Sequence, residues 1–417
     1  MTGKTPYGQA GGPIAVSQNT EKRKRDSMRG KGCLRIRHAT IATPSGLIEG
    51  DCVIEDGTIA AVGGSCHPEG DDRYEVLDAK GGLLCPGFID LHVHGGAGHD
   101  FSDADGNGAE EIVRFHQQHG TTSLVASVVP GPLEAMARAL DVLAEPPISG
   151  VVGIHLEGPF VSRHRKGALN EEWLREVDTA AFRRLVQGRE DHIAVVTLAP
   201  ELEGSGELIR AIGEIGAVPA IGHTACSFDQ ACAAVEEGAT HFTHLFNAMT
   251  GLQHREPGVV GAALRYDTTT MELIADGIHV HPWVIAFVLE RVGSSKRPGR
   301  ACLVTDAIRA TGMKDGEYTL GGLDVTVAGS VARLADGTLA GSTLTMDQAL
   351  RNVMEYAGLG VTEALPLVTA NPAVILGLGQ RKGAIVEGAD GDLVLLDADA
   401  TVCATVRMGA IVFQREC

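Results

Sequence analysis

Histidines and carboxylates stand at the ends of five short apolar segments of this 417-residue chain. Each segment has the composition of a buried β-strand, and each polar residue comes at or near the point where that strand would end. The residues at these strand ends are His92 with His94, Glu157, His223, His244 and Asp306. His92 and His94 are two residues apart, so both side chains leave the same face of a strand.

Burying this many ionisable groups costs several kcal/mol unless a metal ion or mutual pairing compensates. A single strand histidine is more often structural than a ligand, so the prediction depends on the combination. Imidazole nitrogens and carboxylate oxygens suit Zn, Fe, Mn or Co, whereas a thiolate site would have used cysteines. The pattern therefore predicts a divalent metal site, where a bound water would have its pKa lowered to about 7.

The middle of the chain, residues 86–375, contains the elements that must position these groups. Short apolar strands alternate there with helix-like stretches over nearly three hundred residues. This alternation predicts an α/β fold, specifically a (β/α)8 TIM-type barrel. In such barrels the chemistry lies where the strands end and the loops begin.

Both ends of the barrel region are rich in short strands separated by Gly and Asp turns. Residues 34–85 and 376–417 share this texture, which predicts one small β-sandwich domain built from both chain ends. Residues 1–33 are polar and include the charged run from Glu21 to Asp26. We expect them to form a disordered N-terminal extension.

Composition excludes several classes of partner. The formal net charge is −18 and aromatic residues make up 4% of the chain. Broad binding to nucleic acid or to anionic membranes is therefore not expected. No apolar run is long enough to span a bilayer, and the N-terminus lacks a secretory apolar region. Nine dispersed cysteines without a Cys-x-x-Cys pair predict reduced thiols and a cytoplasmic protein.

Longer motifs around the strand ends resemble known families. Pro86–His94 is similar to the first barrel strand of the amidohydrolase superfamily. Seven further segments resemble the N-acetylglucosamine-6-phosphate deacetylase family: Leu156–Phe160, Gly222–Thr224, His244–Met249, Arg255–Gly258, Asp276–His279, Val304–Ala307 and Ala340–Met346. The resemblance extends from about Leu34 to the C-terminus.

The resemblance implies metal-dependent removal of the acetyl group from N-acetyl-D-glucosamine 6-phosphate. It implies one principal metal bound by Glu157, His223 and His244. Because His92 and His94 are both present, it also allows a second metal with Glu157 bridging. Zn is the expected ion, with Fe, Co or Mn as alternatives. Asp306 would be the catalytic acid/base.

The family also implies how the substrate, a small phosphorylated amino sugar, is bound. Asn247, the backbone around Ala248, Arg255 and His279 match substrate-binding positions. In the family the arginine reaches into the neighbouring subunit's site, which implies a homodimer with Arg255 crossing the interface. One position departs from the pattern, because Leu169 replaces a histidine placed near the acetyl carbonyl. His164 or Arg165 from the same loop could substitute for it, or the metal could act alone.

Three alternatives remain open from the sequence. The first is the same reaction on N-acetylgalactosamine 6-phosphate, which differs at one hydroxyl. A cyclic-amide hydrolase is disfavoured, because those enzymes use a carboxylated lysine where this chain has Glu157. The third is a non-catalytic barrel acting as a binding or scaffold protein, which loss of the ligands would have favoured.

Overall fold

The computed structural model describes residues 33–64, 73–145, 147–293 and 299–416. The predicted N-terminal extension, residues 1–33, lies outside the described residues except for Cys33, which begins a strand. All of the candidate site residues lie within the described ranges.

Eight parallel strands form the central barrel, and each is paired with the next in chain order. Barrel strands 1 to 8 are, in order, Phe88–Val93, Thr121–Val128, Val151–Glu157, Ile193–Leu198, Val218–Ile221, His241–Phe242, Thr270–Ile274 and Ala301–Val304. The barrel closes just beyond strand 8, where Asp306 N–H donates to the His92 carbonyl at 2.9 Å and His94 N–H donates to the Ala307 carbonyl at 2.9 Å. The predicted (β/α)8 barrel is confirmed.

One α-helix follows each barrel strand before the chain enters the next strand. These helices are Gly106–Gln117, Leu133–Ala144, Thr179–Val186, Ser205–Glu214, Phe228–Glu237, Gly258–Arg265, Pro282–Gly293 and Met346–Ala357. Each buries one face; in the last helix Met346, Ala349, Leu350 and Val353 are buried at helical spacing. Two short helices, Val361–Ala364 and Ala370–Ile375, follow the eighth.

The two chain ends together build a second, separate sheet of eight strands. Its strands are Cys33–Thr43, Gly46–Glu55, Thr58–Val62, Tyr74–Asp78, Leu83–Pro86, Leu393–Leu396, Val402–Arg407 and Ala410–Gln414. Leu83–Pro86 pairs antiparallel with Leu393–Leu396, which joins the two ends of the chain. This sheet has its own hydrophobic cluster, so the predicted small β domain built from both ends is confirmed.

A three-stranded antiparallel sheet is inserted between barrel strand 8 and its helix, and the sequence analysis did not predict it. Its strands are Gly316–Leu320, Leu323–Ala328 and Val331–Arg333. We call this element the strand-8 insert. Its inner residues, including Leu320 and Val325, share a small hydrophobic cluster with Leu169 from the loop after barrel strand 3. The insert therefore covers part of the barrel face at which the strands end. The two-stranded hairpin Gly95–Gly96 with His99–Asp100 lies on the same side, directly after strand 1.

Six cysteines in the described residues are free thiols: Cys33, Cys52, Cys85, Cys226, Cys232 and Cys302. No helix in the described part of the chain is long and apolar enough to cross a membrane.

Asp347 connects the last barrel helix to the first. Its carboxylate lies 3.1 Å from His119 Nδ1, just after the first helix, and accepts from Arg351 at 3.1 and 3.2 Å. Arg351 also donates to the carbonyl of Ala400, which belongs to the small β domain built from both chain ends. Burial raises the pKa of Asp347, but His119 and Arg351 outweigh burial and lower the pKa to about 2.

We predict that Asp347→Asn lowers the unfolding free energy by about 1 to 3 kcal/mol at pH 7. Because the folded-state pKa is depressed, this stabilisation is present above the unfolded-state pKa near 4. It is lost as the pH falls from about 4 towards 2, so the difference between the two proteins should shrink over that window. Urea midpoints measured between pH 7 and pH 2 would show it, with exposed Asp399→Asn as the control. A difference independent of pH would contradict the assignment.

Candidate metal centre and active site

The five predicted ligands converge at the carboxyl ends of barrel strands 1, 3, 5 and 6. We call His92 with His94 the first histidine pair, and His223 with His244 the second. Glu157 lies between the pairs: Oε2 is 3.3 Å from His94 Nε2, and Oε1 is 3.1 Å from both His223 Nε2 and His244 Nε2. Each pair, taken with Glu157, has its ligand atoms close enough together to hold a metal ion.

The geometry within each pair indicates a cation site rather than ordinary hydrogen bonding. The two Nε2 atoms are 3.1 Å apart in the first pair and 3.0 Å apart in the second. All four rings direct Nε2 towards the same carboxylate, so four ring nitrogens and the carboxylate oxygens of Glu157 face one small volume. The Nδ1 atoms of His94 and His244 are buried without a hydrogen-bond partner among the described residues. This donor set, imidazole nitrogen with a shared carboxylate, fits a divalent transition metal.

Unusual backbone conformations direct three side chains into the centre, two of the predicted ligands and Asp306. His223, His244 and Asp306 have φ values of 45°, 28° and 51°, in the left-handed region that non-glycine residues rarely adopt. Each such residue costs on the order of 1–3 kcal/mol and persists only where the surrounding structure imposes it. Each lies two residues beyond the end of a barrel strand, so the strained turn redirects the side chain into the barrel mouth.

Asp306 lies beside the first histidine pair. Its Oδ1 is 3.1 Å from His94 Nε2 and 3.6 Å from His92 Nε2. Its carbonyl accepts from Ser342 N–H at 2.8 Å, so the segment after the strand-8 insert fixes its backbone. Gly341 must be glycine here, because its φ is +59° and a Cβ would lie 2.5 Å from Ile308 Cγ2.

The electrostatics of the centre favour ionised carboxylates. Burial raises the pKa of Glu157, but His92 and the second histidine pair outweigh burial and hold it well below its usual range. Burial also raises the pKa of Asp306, and the first histidine pair lowers it to a net value below normal. Both groups are therefore anions at neutral pH, ready to face a cation.

A layer of buried polar residues lies beneath the centre, and the sequence analysis missed it. His155 and Glu272 are completely buried and, with His92, come from the alternate strands 1, 3 and 7. Such layering by alternate strands is typical of barrel interiors. Asp90 accepts from Thr305 Oγ1 at 2.6 Å across the closing strands, and burial raises its pKa to about 7. The sequence signal that could have revealed this layer was a charged residue inside an otherwise apolar strand, as at Asp90 and Glu272.

A cavity of about 450 Å³ opens over the centre. Its walls contain Glu157, Asp306 and three of the four histidines, with loop residues 163–169 on one side and residues of the strand-8 insert and its following loop on the other. His164, Arg165 and Lys166 give this rim a basic character. The volume suits a ligand of monosaccharide size.

Three of the four predicted substrate-binding residues line this cavity: Asn247, Ala248 and His279. His279 Nδ1 lies 2.6 Å from Oδ2 of Asp276, three residues earlier in the chain, and this contact fixes the orientation of the His279 ring. Arg255 is different, because it lies in an exposed stretch and is absent from the cavity lining within this chain.

Leu169 lines the cavity while remaining buried, at 4% exposure. Its side chain belongs to the hydrophobic cluster shared with the strand-8 insert. The surroundings of this position are therefore apolar, as its side chain is. His164 and Arg165 remain on the same loop, and the Arg165 carbonyl lies 3.1 Å from His223 Nδ1.

A closed (β/α)8 barrel with a histidine and carboxylate centre at its strand ends defines a class of metal-dependent hydrolases. Comparison with known proteins specifies the family. The sequence profile of the Amidohydrolase family matches residues 83–414, and the chain belongs to this family.

Relatives with assigned activities are similar over most of their length. The chain is 39% identical to N-acetylglucosamine-6-phosphate deacetylase of Bacillus subtilis (strain 168), covering 91% of this chain and 97% of that protein. It is 38% identical to N-acetylgalactosamine-6-phosphate deacetylase of Escherichia coli O157:H7, covering 83% and 90%. A solved structure of the Mycobacterium smegmatis N-acetyl-D-glucosamine-6-phosphate deacetylase D267A mutant, in complex with N-acetyl-D-glucosamine-6-phosphate, superposes with a TM-score of 0.84 at 37% identity, covering 92% of this chain and all of that one.

Proposed function

We propose that this chain hydrolyses the acetamide of N-acetyl-D-glucosamine 6-phosphate to D-glucosamine 6-phosphate and acetate, within amino-sugar catabolism or recycling. The observation that carries the proposal is the convergence of both histidine pairs on Glu157, beside Asp306, in a cavity of monosaccharide size. The similarity to deacetylases of phosphorylated amino sugars supports the substrate class.

Glu157, His223 and His244 would hold the principal metal, and His92 and His94 would hold a second with Glu157 bridging. Zn is the ion that this donor set suits best, with Fe, Co or Mn as alternatives. A divalent ion bound there lowers the pKa of a water molecule and polarises the acetamide carbonyl.

Asp306 would act as the acid/base. Its buried carboxylate is ionised and adjacent to the first histidine pair, so it can accept a proton from the attacking water. The same group can then deliver that proton to the departing amine, without which an amide C–N bond breaks slowly. The closing strands of the barrel fix its position, so little reorganisation is needed.

The substrate would be oriented by groups far from the reacting bond. Asn247, the backbone at Ala248, and His279 face the cavity and would contact the sugar phosphate. Arg255 is exposed in its own chain, which agrees with a role in a partner subunit's site within a homodimer. His164 or Arg165 would take the place of the donor missing at Leu169. We place the enzyme in the cytoplasm.

Two of the three alternatives that the sequence left open can be weighed against these observations. The galactosamine variant keeps support, because one relative at 38% identity is an N-acetylgalactosamine-6-phosphate deacetylase. A non-catalytic scaffold has none, since every proposed ligand and Asp306 are present and converge.

We expect acetate release from N-acetyl-D-glucosamine 6-phosphate that requires a divalent metal. The protein, purified without chelator, should contain between one and two metal ions per chain, because the two clusters share Glu157. Acetate release should be measured after chelation and after adding Zn, Fe, Co or Mn, with N-acetyl-D-galactosamine 6-phosphate in parallel. Full activity in the metal-free protein would contradict the proposal, and a preference for the galactosamine substrate would shift it to the alternative.

We expect Asp306→Asn to lower kcat by about 10²- to 10⁴-fold, because the amide side chain cannot accept the proton. The variant should keep its fold and its substrate affinity. Metal content and circular dichroism should be compared with wild type before kinetics. A near-normal kcat in a folded, metal-loaded variant would assign the proton transfer to another group.

We expect Arg255→Ala to raise the activation free energy given by kcat/KM for the phosphorylated sugar by about 2 to 5 kcal/mol, with little effect on N-acetylglucosamine itself. His254→Ala, at the neighbouring exposed position, is the matched control. Mixing Arg255→Ala with Asp306→Asn should restore some activity, because hybrid dimers would contain one intact site. If instead Lys166→Ala abolishes phosphate recognition while Arg255→Ala does not, the phosphate is bound within one chain.

A further inference from the structure

Glu272 lies in the middle of barrel strand 7, completely buried beneath the metal centre. Its Oε2 is 3.1 Å from His92 Nδ1 and accepts from the backbone N–H of His244 at 2.9 Å. One carboxylate oxygen therefore contacts a member of each histidine pair. The contact to His92 joins residues 180 positions apart in the chain.

The four histidines differ in what lies behind their rings. His223 Nδ1 faces the backbone carbonyl of Arg165, while His94 Nδ1 and His244 Nδ1 are buried without a partner among the described residues. Within those residues, only His92 has its ring fixed from behind by a carboxylate side chain. Since the Nδ1–H of His92 must point at Glu272, its Nε2 presents a lone pair to the metal site.

The contact to His244 acts on the backbone instead of the ring. His244 adopts φ 28°, a conformation that needs external support. Its N–H is satisfied by Glu272 Oε2, which holds the turn that aims the ring at Glu157. Loss of this acceptor would leave a buried N–H unpaired and free the turn to relax.

Glu272 is itself held from the other side. Its Oε1 is 3.1 Å from His241 Nε2, and His241 Nδ1 is 2.7 Å from Thr270 Oγ1. Thr270 Oγ1 donates in turn to the Thr240 carbonyl at 3.2 Å. The carboxylate therefore has little freedom to rotate away from the two histidines.

We propose that Glu272 is a positioning residue that couples the two halves of the metal centre. It fixes the ring of His92 in one half and the backbone turn of His244 in the other, so both halves depend on one side chain. The inference rests on the proposed metal-dependent function. It means that disturbing Glu272 weakens metal binding at both positions, whereas disturbing a single ligand weakens its own position first.

The test compares three substitutions in the full-length protein. Glu272→Leu removes both acceptors, and Glu272→Asp keeps the charge but withdraws it by one methylene. Glu272→Gln keeps a carbonyl oxygen that can occupy the Oε2 position, provided His241 presents an acceptor to the amide. Thr197→Val is the control, because Thr197 is equally buried in the barrel and contacts His155 and Thr243 but neither His92 nor His244 through its side chain.

Zn affinity should be measured for each protein by competition with a chromophoric chelator, and the visible spectrum recorded with Co²⁺. We expect Glu272→Leu to bind metal about 10- to 100-fold more weakly at both positions of the centre. Glu272→Asp should show a smaller loss of affinity at both positions, and Glu272→Gln should recover most of the affinity. Thr197→Val should lower stability without changing the affinity or the Co²⁺ spectrum.

Wild-type metal affinity in Glu272→Leu, or a loss confined to one position, would overturn the proposal. If Glu272→Leu does not fold, Glu272→Asp decides in the same way, since unchanged affinity there would also overturn it. Metal binding is read independently of deacetylation. A wild-type protein that binds metal but releases no acetate would therefore refute the proposed function and leave the positioning role to be decided by these affinities.

Discussion

The hydrogen bonds that close the barrel between strand 1 and the end of strand 8 determine where the chemistry can occur. Asp306 N–H donates to the His92 carbonyl, so closure of the barrel and placement of Asp306 beside the first histidine pair are one event. The segment at Gly341 and Ser342 adds a further bridge to this junction through Ala307. An alteration that weakened barrel closure would therefore also displace the proposed acid/base.

Charge balance is the second constraint on the centre. Glu157, Glu272 and Asp306 are 3%, 0% and 8% exposed, and three buried anions are unstable without compensating positive charge. In the absence of a cation, the histidines supply it: burial lowers the pKa of His92, but the facing carboxylates raise it well above its ordinary value. A divalent ion provides the same compensation while leaving the imidazoles neutral, which is the state that ligates metal. Metal binding and loss of protons from the centre are thus coupled.

The sequence predicted the first layer of the site and missed the second for a physical reason. His92, His94, Glu157, His223 and His244 could be found because strand ends of a parallel barrel converge on one face, whatever the details of packing. The contacts of Glu272 and His155 could not be found in this way. Glu272 reaches His92 from strand 7 to strand 1, which are not neighbours, and His155 meets Ser127 and Thr197 through the register of strands 2, 3 and 4. Arg255 was identified by resemblance alone, and in the structure it is exposed and lies outside the cavity of its own chain. The strand-8 insert was not predicted, because its strands are short and are separated by tight glycine turns in the connection between barrel strand 8 and its helix.

Leu169 shows how packing can decide a functional position. The side chain lines the cavity, yet it is also part of the cluster that seats the strand-8 insert against the loop after strand 3. An imidazole there would have to bury a polar ring among Leu320, Val325 and their neighbours, at a cost of about 1–3 kcal/mol unless it found a partner. The apolar residue therefore stabilises the insert, and the insert in turn holds Gly341 and Ser342 against Asp306. On this reasoning the apolar Leu169 helps to place Asp306 firmly through the insert. Under the proposed function, the developing oxyanion would then be stabilised by the metal and by the basic loop at His164 and Arg165.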